Sequence, residues 1–200
     1  MSSLFSAYDV GDQVFLEHQN IEFDFCYPES QVGSSFSFAQ HNGDLNGGNF
    51  QVLLIEMSAS WWAPCFNAIP EGDEIYEHWE NDDRVAIIHF LDDINQPFSC
   101  SDWGNYGTIG IPSIVDDGTA NTVFDWFENP NGTGIYPLVV FFDYTMTVAN
   151  IMSSSPSFNV ANAIIENLLN DIPDNEVYGC TDPEACNYDP EATADDGSCA

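Results

Sequence analysis

Basic residues are almost missing from this 200-residue chain: Arg84 stands alone against 33 acidic residues, lysine is absent, and the net charge is −32. Phosphate backbones and anionic lipid are bound through clusters of lysine and arginine, so nucleic acid and membrane-surface partners are excluded. The lack of lysine also rules out a P-loop, and Gly43 to Gly48 reads as a turn before a strand. No run of 18 apolar residues occurs, so no membrane span is predicted. The four histidines, His18, His41, His78 and His89, form no pair at ligand spacing, and no zinc or haem site is indicated.

What remains suffices for one good core and a small appendage: 44% of the residues are hydrophobic and 14% aromatic. Six cysteines, three of them within the last 21 residues, fit an oxidising compartment, hence a secreted, periplasmic or extracellular protein. Ser3-Leu4-Phe5-Ser6-Ala7 before Tyr8 has the small-residue pattern at the end of a secretory signal, and residues 1–9 are read as a signal-peptide remnant or disordered N-terminus. Asn131-Gly132-Thr133 is a formal glycosylation sequon. Such an acidic surface keeps a protein soluble and is open to divalent cations, a protein partner or self-association.

Alternating apolar residues between Ile21 and Phe38 predict short antiparallel strands, an N-terminal β extension. Val52 to Ile55, Val85 to Leu91 and Leu138 to Phe142 are continuous apolar runs, the mark of strands buried on both faces. A helix from about Cys65 to Glu80 lies between the first two, and a strand, crossover helix and parallel strand form a right-handed unit. Pro112 is expected to begin a short edge strand before an inserted helix around Asn121 to Phe127. Asp143-Tyr144-Thr145 turns into a strand from Met146 to Asn150. A final amphipathic helix carries Val160, Ile164 and Leu168 along one stripe, with Ala161, Ile165 and Leu169 beside it. Residues 10–172 are thus one α/β domain, 173–178 a linker, and 179–200 an acidic Cys-rich segment too polar to hold itself by a core.

Ala59-Ser60-Trp61-Trp62-Ala63-Pro64-Cys65 follows the first buried strand and opens the helix, and here the chain resembles the thioredoxin superfamily, in particular its secreted redoxin branch. The family pattern is Trp-Cys-x-x-Cys: Trp61 matches the tryptophan and Cys65 the second cysteine, but Trp62 stands where the nucleophilic cysteine belongs. Pro70 matches a helix-kinking proline, Glu56 a buried acid, and Tyr136-Pro137 the loop with a cis-proline; Ile111-Pro112-Ser113 is a rival for that loop. The resemblance implies a three-layer thioredoxin-like fold around a central mixed sheet. It also implies Cys65 and Glu56 as candidate catalytic residues, to which the crossover adds Cys100, and Trp61, Trp62, Tyr136 and Pro137 as candidate substrate-binding residues. Disulfide exchange needs one thiolate to attack and a second thiol to resolve the mixed disulfide. Cys100, which the crossover places on the same sheet edge as Cys65, is a candidate partner for it, with Cys26 competing for either.

Residues Gly179 to Cys199 resemble a short repeat module of secreted proteins of marine bacteria. Asp182, Asn187, Asp189, Asp195 and Asp196 are hard oxygen ligands near a glycine turn, the chemistry calcium favours, although the spacing is not that of an EF-hand. A Cys180 to Cys199 bridge is expected to close the module and leave Cys186 to find a partner elsewhere, the sequence itself not fixing the pairing. No cofactor is expected in the main domain. Two functions follow: a non-catalytic binding or structural role in the envelope or extracellular space, favoured by Trp62, and a thiol-disulfide oxidoreductase or peroxide-reactive redoxin using Cys65 with Cys100.

Overall fold

The computed structural model describes residues 7–118, 122–127, 136–173, 178–190, 192, 194–195 and 197–200. In chain order the elements are α1 (Leu16–Gln19), β1 (Phe23–Tyr27), β2 (Ser35–Phe36), α2 (Gly43–Asn46), β3 (Val52–Ala59), α3 (Ala63–Trp79), β4 (Val85–Asp92), α4 (Cys100–Gly104), β5 (Ile114–Gly118), α5 (Thr122–Phe127), β6 (Leu138–Phe142), β7 (Val148–Met152), α6 (Phe158–Leu169), β8 (Tyr178–Gly179) and β9 (Ala194–Asp195). Strands β1 to β7 form one sheet in the order β2-β1-β5-β4-β3-β6-β7. Within it β3, β4 and β5 run parallel, and the remaining pairs are antiparallel.

The two faces of the sheet follow from the alternation of side chains along β3. Leu53, Ile55 and Met57 join Phe36, Phe38, Phe90, Val140 and Phe142 on one face, covered by the N-terminal segment and α5. Val52 and Leu54 pack on the other face with Ile75 and Trp79 of α3 and with Ala161, Ile165 and Leu168 of α6. A third cluster, with Leu91, Trp103 and Ile114, lies under the first half of α3 and against α4. Three layers around a central mixed sheet are the architecture expected above.

The continuous apolar runs became β3, β4 and β6, each a residue or more longer than or equal to its run. Two expectations need correction. The strand placed at Met146 to Asn150 begins later, at Val148, because the Asp143 carboxylate accepts from the N–H groups of both Thr145 and Thr147 and extends the turn. The strand after Pro112 is no edge: β5 is paired on both sides, by β1 and β4, and the edges are β2 and β7. Asn121 and the sequon at 131–133 lie outside the described residues, as do residues 1–6 and most of the linker.

Candidate functional site

The site is built where β3 ends and α3 begins. Trp62 caps α3 in an extended conformation, Pro64 sits in the first turn, where a missing N–H costs nothing, and the helix continues through Pro70. Side chains of a strand alternate, so Glu56 and Ser58 share the face of β3 that looks toward α3. Cys65, in the first turn of α3, is wholly buried.

Cys65 is a poor nucleophile in this setting. Burial pushes its thiol up to about 11, and the negative charge of Glu56 adds to the shift. At neutral pH the thiol therefore predominates over the thiolate, the reactive form. Glu56 is itself pushed up to about 7 by burial, against a hydrogen bond that Ser155 Oγ donates to its Oε1 at 3.1 Å. Ser58 Oγ has no partner at full hydrogen-bond distance, so its easing of either charge is weak and burial prevails.

Cys100 is not available to Cys65. It is bonded to Cys26, with Cα atoms 6.0 Å apart, while Cys65 is a free thiol. This corrects the Cys65 to Cys100 pairing and realises its competitor. The crossover did bring the cysteines together, since Cys26, Cys65 and Cys100 all belong to the cluster beneath α3. The choice of bond was made by β1, which lies beside β5 and carries Cys26 to α4. Gly104 helps, because a methyl group there would run into the Tyr27 ring.

The aromatic residues of the motif face outward. Trp61 and Trp62 are 50% and 41% exposed, with ring centroids 5.8 Å apart. Trp61 Nε1 donates to Asp93 Oδ2 at 2.8 Å and its ring meets Tyr136 edge-on. Phe66, one turn after Trp62, stacks on Phe98 at 4.1 Å and lies against Tyr106. These rings form two aromatic groups near the start of α3, Trp61 with Trp62 and Tyr136, and Phe66 with Phe98 and Tyr106. The Tyr136–Pro137 peptide is cis, and Pro112 is not among the cis prolines, so the loop before β6 is the one the pattern favoured.

Sequence reasoning missed a buried acid pair behind this surface. Asp92, at the end of β4, is wholly buried and accepts from Tyr136 Oη. Asp117, in β5, is buried as well, and its carboxylate takes the N–H groups of Val123 and Phe124 at the start of α5. Burial, reinforced by the charge of Asp117, holds Asp92 well above the usual carboxylate range; burial also raises Asp117. Asp92 Oδ1 has no donor, which suits a proton shared between the two acids at neutral pH. The one available signal was an acid closing an apolar run.

In the tail Cys180 and Cys199 are bonded, as expected, whereas Cys186, expected to pair elsewhere, is a free and exposed thiol. Asp182 Oδ1 accepts from Glu184 N, and Asn187 spans Ser198 O and Ala200 N with the two ends of its amide. Asp189 lies in the same loop, where its N–H donates to Cys180 O. Asp195 falls in β9, and Asp196 is outside the described residues. Among the described residues no three His, Cys, Asp or Glu side chains stand close enough to share a metal ion.

No protein-family model matches this chain, and no curated protein matches it. Solved structures do. A DsbF homologue from Corynebacterium diphtheriae is 17% identical, with a TM-score of 0.58, covering 80% of this chain and 90% of its own. A secreted thiol-disulfide isomerase from Corynebacterium glutamicum is 13% identical, with a TM-score of 0.59, covering 76% and 84%. A putative protein disulfide isomerase from Bacteroides thetaiotaomicron is 12% identical, with the same TM-score of 0.59, covering 82% and 89%. The fold is thioredoxin-like. At these identities the likeness extends to the fold alone, since function resides in the site. Among the described residues no helix is long and apolar enough to cross a membrane.

Proposed function

We propose that this chain is an exported thioredoxin-fold protein that binds other polypeptides through the aromatic surface around Trp61 and Trp62 and does not exchange disulfides. One observation carries the reading: an exposed indole, Trp62, occupies the attacking position, while the one thiol of the motif, Cys65, is buried and held protonated. Exposed aromatic rings beside a helix end suit the capture of extended, apolar segments, because large rigid rings bury area at little entropic cost. Two disulfides, and neighbours described as secreted, support export.

The test uses a reduced, carboxamidomethylated unfolded protein, which carries no added charge. The wild-type chain is expected to bind it and to show no insulin-disulfide reduction above background; Trp61→Ala with Trp62→Ala weakens binding at least tenfold. Trp62→Cys, which restores the two-cysteine spacing at the helix N-terminus, is expected to raise reduction at least tenfold over background. Turnover by the wild-type chain that Cys65→Ser abolishes would sink the proposal in favour of the second reading, exchange among Cys65, Cys26 and Cys100. That reading is favoured by their common cluster.

Calcium at the tail stays within the proposal. Its support is the oxygen-rich donor set of Asp182, Asn187, Asp189, Asp195 and Asp196. Calorimetric titration of the full chain with calcium checks it, and a flat isotherm at millimolar calcium removes it.

A further inference from the structure

Strand β4 is only half paired on one side. All eight of its residues match β3, whereas β5 reaches only His89 to Asp92. Backbone groups alternate in direction along a strand. Arg84 O meets Val52 N on the β3 side and His89 N meets Ser113 O on the β5 side. Ile87 therefore aims its N–H and C=O toward the β5 side, at a level β5 does not reach. Val85, Ala86 and Ile87 are accordingly only half-buried, although β4 lies in the interior of a seven-stranded sheet.

A groove follows this open stretch, between Tyr76 and Trp79 of α3 and the segment carrying Gln31 and His41. It shares Tyr76, Ile87, Ile88 and Ser113 with a cavity under α3 that Glu56, Asp73, His89 and Trp103 close off. Among the described residues five buried side-chain polar atoms lack a partner. Three of them, Gln31 Oε1, His89 Nε2 and Trp103 Nε1, belong to residues lining this one channel. Trp103 is wholly buried, so its indole N–H has no recourse to solvent. Unmet donors and acceptors side by side with an open strand edge are what a second backbone satisfies.

We propose that the open half of β4 is a strand-addition site for an extended segment of another protein, laid along Val85 to Ile88, with one polar side chain entering the cavity to accept from Trp103 Nε1. Charge narrows the occupant. The ionisable groups along the channel are Glu56, Asp73, Glu80, His41, His89 and the neutral phenol of Tyr76, with no lysine or arginine, so the segment is neutral or basic and its inserted side chain is a hydroxyl or amide. The site lies at the opposite end of β4 from Asp92 and uses neither Trp61 nor Trp62, although Trp103 at its inner end also meets Phe66 edge-on.

Amide hydrogen exchange by NMR on the full chain tests this directly. In the free protein the Ile87 amide is expected to exchange at least 100-fold faster than that of Ile88, which faces β3. Random heptapeptides displayed on phage and selected against the full chain are expected to yield sequences without Asp or Glu. Their addition slows Ile87 exchange at least tenfold and shifts the Trp103 indole resonance, and N-methylation of alternate peptide amides weakens them at least tenfold. The proposal is overturned if Ile87 is already protected in the free protein, or if no peptide is enriched. Peptides that perturb Trp61 and Trp62 and leave Ile87 untouched also overturn it, while leaving the aromatic surface standing. Protection of Ile87 by raised protein concentration alone assigns the edge to a second copy and overturns it too.

Discussion

The domain and the tail of this chain are each clipped by one disulfide, yet the two clips do different work. The domain buries Trp103, Phe36, Phe38, Phe90, Phe127, Phe141 and Phe142 almost completely, and each such side chain contributes about 1.5–3 kcal/mol. Its Cys26–Cys100 bond adds to a core that already specifies the fold. In the tail, from Cys180 to Asp189, only Cys180 is buried, and what holds the segment is the Cys180–Cys199 bond with a few hydrogen bonds, such as Cys186 N to Ala200 O at 3.0 Å. A segment without a core depends on its cross-link for existence; a segment with one depends on it only for margin.

The largest effect on domain stability is therefore expected from the domain's own clip. Its ends are 74 residues apart, and opening a loop of that length by Cys26→Ser with Cys100→Ser should cost about 4 kcal/mol in urea unfolding while leaving a cooperative transition. A loss of all cooperativity would show that the core cannot stand alone.

Next comes the interior charge. Glu56 ionises near pH 4.5 when unfolded and is pushed up to about 7 in the fold, so the unfolded chain releases its proton first and stability falls as pH rises through this interval. Asp92 moves in the same direction. His89, held down to about 4, opposes the trend only below pH 6.5, where the unfolded state takes up its proton. Between pH 6.5 and 8 the acids act alone. Glu56→Gln is expected to leave stability unchanged at pH 4 and to raise it at pH 8 by up to about 3 kcal/mol, checked by chemical denaturation across this range.

The smallest effect sharpens the contrast from the other side. Cys199→Ser should abolish exchange protection throughout residues 180–200 and change the domain's stability by less than about 0.5 kcal/mol. A larger change would mean that the tail braces the domain.

The parts of the fold set by local pattern were legible in the sequence. Unbroken apolar runs marked β3, β4 and β6, and the helical stripe marked α6, although Val160 turned out to face solvent and Ala161, Ile165 and Leu168 the core. The proximity of Glu56 and Cys65 was legible for the same reason, because both flank one strand-helix turn. What depended on long-range placement was not. The partner of Cys100 was decided by β1 lying beside β5, a pairing no spacing encodes. The Asp92, Asp117 and Tyr136 cluster draws on three separate strand ends, and one buried aspartate among 33 acidic residues has no local signature. The open edge of β4 arises from the shortness of β5, visible only once both strands share a sheet.

Arg84 is the chain's one residue of lysine or arginine type, and its structural role is as slight as its number. It lies exposed and reaches its neighbour Asp82 at 2.7 Å, the one ion pair among the described residues. A fold with nearly no attractive ion pairs has almost nothing that dissolved salt can weaken, while the mutual repulsion of its many surface carboxylates is what salt screens best. Brine, which loosens proteins stitched together by opposite charges, should only tighten this one.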